Sequence, residues 1–514
     1  MWVGDAPPAQ NGVVVLGTPI GGGDFVKAHA EKRLGEEQML LDRPPDLPDL
    51  QAAWLLLTYS AVPRANHLIR IVPPSVIRDY AMRHDEALWA CFCRLIEGDS
   101  LAGDTIAQQV ASLPARFGGL GVRSAVRTSP AAYFASWVDS LPALTDKDND
   151  LAQRIVSCLE HDPSSVPCLA EAAEAKQLLV DDGAEKLPEW REAMDRTEPP
   201  VVEDLDAGEF RKGWQSYTSS FRETSFLETV VLPASSCSRR ATRLSQCGPG
   251  AGAWLSALPT HWAVRIKPLR MQVALRRRRR WPLPLECQRC NGKACRSKLD
   301  PYGDHWASCN KSGRLQRRSK PLERTWARVF REARARVVEN CFLRDTALPD
   351  VDAADGRRLE IVATGLPLHH GVPLGVDVTM VSPLHTDGTV WAGADTVAGT
   401  AIKRAERNKE RTYPELVDSS VLRLVTLACE TGGRWSQTTA DLTRQLATAR
   451  SRDAPSRLRL AASLGWQKRW WAMLAVAAQD ALASTLVDDA VVLLDGNDGL
   501  EPLLCDVLCD AVSL

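Results

Sequence analysis

The sequence lacks the features that mark membrane-spanning, secreted and highly charged proteins. No stretch reaches the roughly 18–20 uninterrupted apolar residues of a membrane span. The best candidate, Trp470–Val487, is broken by Gln479 and Asp480. The first residues, Met1–Gly12, contain neither a basic nor an apolar segment, so no secretory signal is expected. The formal net charge of −1 excludes a uniformly basic, histone-like protein and an acidic disordered chain.

The 14 cysteines are spread over 514 residues without the spacing of a disulfide framework. Because no export signal is present, we interpret most of them as reduced thiols of an intracellular protein. A domain usually takes about 100–200 residues, so the length predicts three or four domains. Hydrophobic residues make up 45% of the chain, which is enough to build large cores.

The distribution of apolar residues predicts a mixed fold. The β-branched run Val13–Leu16, followed by Gly17, predicts a strand and a tight turn. From Phe25 to Val138 the apolar residues recur at helical spacing, which predicts an α-helical N-terminal half. A small zinc module, an α/β domain and a C-terminal helix, Leu458–Val487, are expected to follow.

The low net charge hides a strongly basic segment. Residues 261–340 contain 22 Lys and Arg against 6 Asp and Glu, a net charge of +16 that the remainder cancels. Five adjacent guanidinium groups repel one another unless anions lie nearby. Two interpretations of the arginine run remain open: a solvated linker or nuclear-import signal, and a phosphate-contacting surface with a tryptophan that stacks on bases. The candidate nucleic-acid-binding residues are Arg276, Arg277, Arg278, Arg279, Arg280 and Trp281.

Two Cys/His pairs have the spacing of a metal site. Cys287 and Cys290 form a C-x2-C pair, and His305 and Cys309 form an H-x3-C pair, with fourteen residues between the two pairs. Three thiolates and an imidazole can complete a tetrahedral Zn2+ site. Since this set leaves no open coordination position, it predicts structural zinc rather than catalytic zinc. Cys295 could replace Cys287 or Cys290, and chance clustering of thiols is the alternative interpretation.

The region after these pairs has the pattern of an α/β domain. A hairpin is expected, with His369 and His370 exposed at its tip. The predicted helices are Pro321–Glu339 and Thr396–Arg411, and the predicted strands are Cys341–Leu343, Arg358–Ala363, Leu374–Val381 and Val421–Glu430.

Acidic residues inside two of these strands suggest catalysis. Glu360 and Asp377 each lie among apolar neighbours, where a carboxylate is costly to bury without compensation. Two such groups on adjacent strands repel unless a cation lies between them, and Mg2+ or Mn2+ suits oxygen ligands. A lysine on the following helix, Lys403 or Lys409, could stabilise charge on a phosphate. The alternative is a structural glutamate on an edge strand and an aspartate that caps a turn.

Several segments together resemble the site-specific LINE-type (non-LTR) retrotransposons, whose reverse transcriptase polyproteins end in a zinc knuckle and a PD-(D/E)xK-like restriction-like endonuclease. Val15–Gly21 resembles the hairpin after the polymerase active site, and Pro63–Leu68, Ile71–Pro74 and Leu113–Gly121 resemble the thumb. Gly303–His305 with Cys309 resembles the knuckle. The segments that resemble the endonuclease are Arg358–Glu360, Gly365–Leu368, Val376–Thr379 and Lys409–Leu416.

The resemblance implies target-primed reverse transcription, in which a nick in chromosomal DNA provides the primer for cDNA synthesis. Asp377 matches the second carboxylate of the family motif, Glu360 falls near the first, and Lys409 matches a lysine that has moved from the strand to the helix. Asp350 or Asp355 could instead fill the first acidic position. The full candidate catalytic set is Glu360, Asp377, Lys409, Asp355, Lys403 and Tyr413.

The same resemblance implies the domains, cofactors and partners. We expect structural Zn2+, catalytic Mg2+ or Mn2+, DNA and retrotransposon RNA as partners, a nuclear location and no membrane. No Tyr/Phe-x-Asp-Asp motif precedes the hairpin, so we expect a truncated product without polymerase activity of its own. The implied domains are a palm remnant at 1–25, a helical thumb-like and linker region at 26–250, a basic zinc-knuckle segment at 251–315, an endonuclease at 316–450, and a C-terminal helix with an acidic tail at 451–514.

Two other functions remain open. One is a non-catalytic nucleic-acid-binding remnant of such a protein, and the other is a purely helical interaction protein. The last leaves the Cys/His spacing and the paired acidic strands unexplained. Close approach of Glu360, Asp377 and Lys409 would favour the nuclease.

Overall fold

Most of the chain is helical, and its longest strands lie between residues 336 and 430. The computed structural model describes residues 7–98, 103–200, 202–204, 208–210, 213–283, 289–292, 294–349 and 351–487. The described chain is mixed, with many helices, two two-stranded sheets and one four-stranded sheet, in agreement with the predicted class. It forms two compact units, which divide between Ala234 and Ser235, while Asp49–Gln51 and Ala115–Gly119 belong to the second. The finer domain boundaries stay predictions.

The first unit begins with the expected hairpin. β1 (Gly12–Val15) pairs antiparallel with β2 (Thr18–Gly21), and Leu16 and Gly17 make the turn with positive φ angles. A glycine suits this turn because it adopts positive φ without steric cost. The other elements of this unit are α1 (Gly23–Leu41), α2 (Leu50–Leu56), α3 (Asn66–Ile71), α4 (Pro74–Leu95), α5 (Thr105–Ala111), α6 (Ala125–Lys147), α7 (Asn149–His161), α8 (Pro167–Asp181), α9 (Trp190–Ala193), β3 (Val202–Asp204), β4 (Gly208–Phe210), α10 (Trp214–Phe226) and α11 (Leu232–Ala234).

Helix α6 is the centre of the first unit, because it packs against α3, α4, α8 and α10. It begins after Ser124, whose hydroxyl accepts a hydrogen bond from the Arg127 amide and so caps the first turn. Phe134 and Val138 of α6 pack in the core with Leu169 of α8. Burial of such side chains stabilises the fold by about 1.5–3 kcal/mol each.

The second unit contains the four-stranded sheet. Its elements are α12 (Cys237–Ser245), α13 (Pro268–Arg279), α14 (Asp304–Ser308), α15 (Arg314–Glu332), β5 (Arg336–Phe342), β6 (Arg358–Thr364), β7 (Leu374–Val381), α16 (Thr400–Thr412), α17 (Pro414–Val417), β8 (Arg423–Glu430), α18 (Gln437–Ser451) and α19 (Arg459–Val487). The strand order is β5-β6-β7-β8, antiparallel except for the parallel pair β7 and β8. Helix α16 connects that parallel pair and packs against both strands.

Several predicted helix boundaries are wrong, since the helix expected from Pro321 begins at Arg314 and the helix expected from Thr396 begins at Thr400. The helix expected over Pro321–Glu339 ends at Glu332, and Val337 pairs with Ala363 in the sheet. Arg334, with a φ of 70°, turns the chain out of the helix. Val337 follows Phe330 by seven residues, a spacing that also continues a helical stripe, so periodicity alone placed it on the helix.

Helix α19 is a core helix of the second unit. By length and composition it could cross a membrane, but 83% of its most apolar 18-residue window is buried inside the protein. It packs against α13, α15 and α18. The carboxylate of Glu332 accepts hydrogen bonds from Arg469 (3.0 Å) and the Trp470 indole (2.9 Å). The expected acidic tail, 488–514, lies outside the described residues.

Candidate metal centre and nuclease site

The two acidic residues predicted to be catalytic lie on the adjacent central strands β6 and β7. The pairing of Ile361 with Val376 brings Glu360 and Asp377 to neighbouring positions. Glu360 Oε2 accepts a hydrogen bond from the backbone amide of Val378 at 3.3 Å, directly after Asp377. In the strand order β5-β6-β7-β8, β6 is an inner strand, and Asp377 lies within β7 rather than at a turn. The alternative of an edge-strand glutamate and a turn-capping aspartate is wrong in both placements.

Lys409 completes this arrangement from helix α16. Its Nζ donates to Asp377 Oδ2 at 2.7 Å, while the aspartate side chain is fully buried. The second carboxylate oxygen, Oδ1, is buried and makes no hydrogen bond of acceptable geometry among the described residues, although the Tyr413 hydroxyl lies close enough to the carboxylate to lower the pKa of Asp377. A buried acceptor of this kind is unfavourable unless a further group satisfies it.

Burial and mutual repulsion change the acidity of the site. Burial raises the pKa of Glu360 to about 7, the charge of Asp377 raises it too, and Lys409 opposes the shift. The pKa of Asp377 is also raised by burial and lowered by Lys409. Tyr413 lies beside both acids. Burial, followed by the charges of Asp377 and Glu360, raises the pKa of its phenol. The hydroxyl donates a hydrogen bond to Arg358 O at 2.8 Å.

Glu323 is a member of this cluster that the sequence interpretation missed. It lies on α15, is 6% exposed and binds Lys320 at 2.7 Å. Its charge raises the pKa values of both Glu360 and Asp377. Its position was a usable signal, since it precedes Trp326 by three residues and therefore lies on the buried face of α15.

The other predicted catalytic residues have different environments. Asp355 binds Arg357 through both carboxylate oxygens, and these hydrogen bonds lower its pKa. Arg357 also meets Glu415 at 2.8 Å. Lys403 is exposed on α16, on the same cleft as Lys409 but without the contact to Asp377 that Lys409 makes. Asp350 lies outside the described residues.

A cleft of about 990 Å³ opens beside this cluster. Its walls are the end of β7, the loop 382–397 and helix α16. Ala307, Ser308 and Asn310, which are close in sequence to His305 and Cys309, also line it. The charged residues of its lining are all cations, namely Arg318, Lys403, Arg404, Arg407 and Lys409, and of these Arg318 is buried. Such a surface favours an anionic ligand.

Four metal-ligating side chains meet elsewhere in the second unit. Ligand atoms of Cys290, Cys295, His305 and Cys309 all lie within 4.8 Å of one another, so the cluster could hold a metal such as zinc. Cys295 Sγ is 3.4 Å from His305 Nε2, and Cys290 Sγ is 4.0 Å from Cys309 Sγ. Among the described residues Cys295 is the fourth member of this cluster, which agrees with one of the alternatives left open by the spacing, and Cys287 lies outside the described residues.

Local geometry and hydrogen bonds prepare this Cys3His cluster for a cation. Hydrogen bonds from Ser297 lower the pKa of Cys295 to about 6, whereas burial raises that of Cys309. The Asp300 carboxylate accepts hydrogen bonds from the backbone amides of Asp304 and His305 and so holds the start of α14. A thiolate at neutral pH is the form that binds zinc.

The arginine run needs a correction, because most of it is inside the protein. Arg278 is 4% exposed and donates to the backbone carbonyls of Ala115, Gly119, Gln246 and Ala251. The neighbouring side chains are occupied as well: Arg276 binds Pro282 O, Arg277 binds Tyr302 O, Arg279 binds Gly118 O, Arg280 binds Asp304, and Trp281 is 1% exposed.

Buried guanidiniums that bind carbonyl oxygens cannot also contact phosphates. Arg277, Arg278 and Arg279 are therefore not a nucleic-acid surface, and the buried Trp281 does not stack on a base. Carbonyl dipoles and the Asp304 carboxylate replace the anions that the charge repulsion required.

Neither a comparison with models of known protein families nor one with curated proteins found a match to this chain.

Proposed function

We propose that this chain is a metal-dependent DNA endonuclease of a LINE-type retrotransposon, which nicks target DNA for target-primed reverse transcription. The observation that carries the proposal is the approach of Lys409 to Asp377, at 2.7 Å, beside Glu360 on the neighbouring strand. Two acids and a lysine on β6, β7 and α16 match the residue types that nuclease chemistry needs.

The energetics of the cluster support this proposal over a structural role. Burying two like charges together is unfavourable, and fold stability alone does not require it. Perturbed pKa values of this kind are concentrated at functional sites. The raised pKa of Glu360, caused first by burial and then by Asp377, is such a case.

The residues fit a hard divalent cation. Asp377 Oδ1 is a buried oxygen without a hydrogen-bond partner among the described residues, and Glu360 provides a second carboxylate beside it. Among the described residues, only the Cys3His cluster brings together three or more Cys, His, Asp or Glu ligands. Glu360 and Asp377 would therefore hold Mg2+ or Mn2+ with help from water and substrate oxygens, as Mg2+ sites commonly do. The cation would supply positive charge against a phosphate.

Lys409 has two tasks in this proposal. Its hydrogen bond orients the Asp377 carboxylate, and its ammonium group lines the basic cleft. With 29% of its side chain exposed, it would be accessible to a phosphate oxygen while it binds the aspartate. It would stabilise the negative charge that develops on the phosphate during cleavage.

The second candidate function is a nucleic-acid-binding protein that has lost catalysis. The observation that favours it is the same ion pair, because a lysine that neutralises Asp377 stabilises the fold without any metal. The basic cleft would then only bind nucleic acid.

Plasmid nicking distinguishes the two functions. With Mg2+ we expect the wild-type protein to convert supercoiled plasmid to open circles, and Asp377→Asn and Glu360→Gln to lose at least about 100-fold in rate. The matched control is Asp441→Asn, an exposed aspartate on α18 that binds Arg444, and it should nick normally. Equal nicking by wild type and Asp377→Asn would refute the site. Plasmid binding without nicking by the wild type would support the binding protein.

A further inference from the structure

The loop after β7 is attached to the helix that carries a metal ligand. His305 Nδ1 lies 3.1 Å from the carbonyl oxygen of Thr386, and Ser308 Oγ donates to Leu384 O at 3.0 Å. The other ring nitrogen of His305 faces Cys295 in the cluster. One imidazole therefore contacts both the Cys3His cluster and the wall of the basic cleft.

A buried arginine strengthens this connection. Arg318 donates to Ala307 O in α14 at 2.8 Å and to Met380 O at the end of β7 at 2.9 Å. Its side chain is 4% exposed, so both hydrogen bonds are shielded from water. Helix α14 is thus attached to the segment that follows Asp377 at three points.

The same loop also contacts helix α16. It folds back on itself, with His385 N donating to Thr389 O and Trp391 N donating to Pro383 O. The guanidinium of Arg404 makes a cation–π contact with the Trp391 ring, 3.8 Å from the ring centroid. Arg404 lies on α16, five residues before Lys409. Continuous contacts therefore run from the Cys3His cluster to the helix of the nuclease site.

We propose that His305 and Ser308 are positioning residues, through which metal binding at the Cys3His cluster fixes loop 382–391 and so shapes the cleft. When Nε2 binds a metal, Nδ1 must carry the proton and donates to Thr386 O. Without the metal the imidazole ring loses its attachment at Nε2, so it would hold the Thr386 carbonyl, 3.1 Å from Nδ1, less firmly. That this cleft receives DNA rests on the proposed function, whereas the attachment of the loop does not.

Hydrogen exchange on the full chain tests the coupling. We expect removal of zinc with a chelator to accelerate exchange of the backbone amides in 384–391 by at least about tenfold. The amides that join β7 to β8 should change less. Unchanged protection of 384–391, while the Ala307 amide in α14 loses its protection, would overturn the proposal.

The variant Ser308→Ala tests the attachment of the loop to α14 even if zinc removal unfolds the whole unit, because it keeps all four ligands. It should retain one zinc per chain and still show faster exchange in 384–391. The matched control is Ser451→Ala, which removes a buried hydroxyl that binds Thr448 O in α18, and it should leave 384–391 unchanged. Normal protection in Ser308→Ala would refute a positioning role for this serine.

Nicking is a separate measurement in the same experiment. If the wild type does not nick DNA but the exchange results hold, the proposed function fails and the coupling stands. If the wild type nicks DNA but neither zinc removal nor Ser308→Ala changes hydrogen exchange in 384–391, only the coupling fails.

Discussion

Lys409 of α16 donates a hydrogen bond to Asp377 of β7, and this ion pair opposes the rise in pKa that burial causes in the fully buried carboxyl group. The strand and the helix that bear the two residues are separated by residues 382–399. The pair therefore connects the sheet to the helix as well as forming the candidate site.

Replacement of the lysine should destabilise the protein. We expect Lys409→Met to lower the free energy of unfolding by about 1–3 kcal/mol, because it leaves a buried carboxylate without its partner. The double variant with Asp377→Asn should lose less than the sum of the two single variants. Urea denaturation measures both effects.

Lys403 provides the control for this prediction. It is exposed on the same helix, and Lys403→Met should change stability by less than about 0.5 kcal/mol. Strict additivity of Lys409→Met and Asp377→Asn would contradict a direct interaction between the two side chains.

Buried and exposed arginines should differ in their effects on stability and on nucleic-acid binding. Arg278→Met should destabilise the second unit by about 3 kcal/mol, because four backbone carbonyls lose their donor. Arg407→Met, an exposed cation of the cleft, should leave stability unchanged and weaken DNA binding, with the salt dependence reduced by about one ion. Thermal unfolding and titration of labelled DNA at several salt concentrations measure these effects. A stable Arg278→Met that binds DNA weakly would show that the run contacts nucleic acid after all.

The fourth zinc ligand can be identified by metal analysis. Cys295→Ser should lower zinc content well below one per chain, because the Cys3His cluster loses a thiolate. Cys287→Ser should retain full zinc occupancy. The reverse result would show that the C-x2-C pair, and not Cys295, completes the site.

Glu430 predicts a pH-dependent change in stability. Burial raises its pKa to about 7 although Arg434 opposes the shift, so the folded state prefers the protonated carboxyl. The stability that the protonated Glu430 contributes is fully present below the pKa of about 4.3 in the unfolded chain, and it is lost as the pH rises through 7. Glu430→Gln, which cannot ionise, should therefore be more stable than the wild type by about 1–3 kcal/mol at pH 8, with a much smaller gain at pH 5.

The control for this series is Glu339→Gln on the exposed face of β5. Melting temperatures at the two pH values should change equally for that variant. If Glu430→Gln behaves in the same way, Glu430 does not titrate as its burial implies.

Local patterns predicted three of the four strands in the sheet of the second unit, whereas β5 was expected only at Cys341–Leu343 and runs over Arg336–Phe342. The hairpin of β6 and β7 and the strand β8 were expected because β-branched runs alternate with clear turn residues. The Cys/His spacing likewise pointed to a metal cluster, since its ligands lie within 20 residues of one another.

Features that depend on distant residues could not be predicted in the same way. The carbonyl partners of Arg278 lie between 27 and 163 positions away in the chain, so its burial left no local signal. Five adjacent arginines on a solvated surface and five in an interior have the same local pattern. Only the tertiary contacts distinguish them.

The position of α19 has a consequence for how the second unit forms during synthesis. Thr485 O accepts a hydrogen bond from Arg314, Asp480 binds Arg270, and Glu332 binds Arg469 and Trp470. The sheet strands and the metal ligands are all made before this helix leaves the ribosome. The core of the second unit therefore closes only after residues 459–487 have been made, and until then the apolar side chains that α19 covers stay exposed.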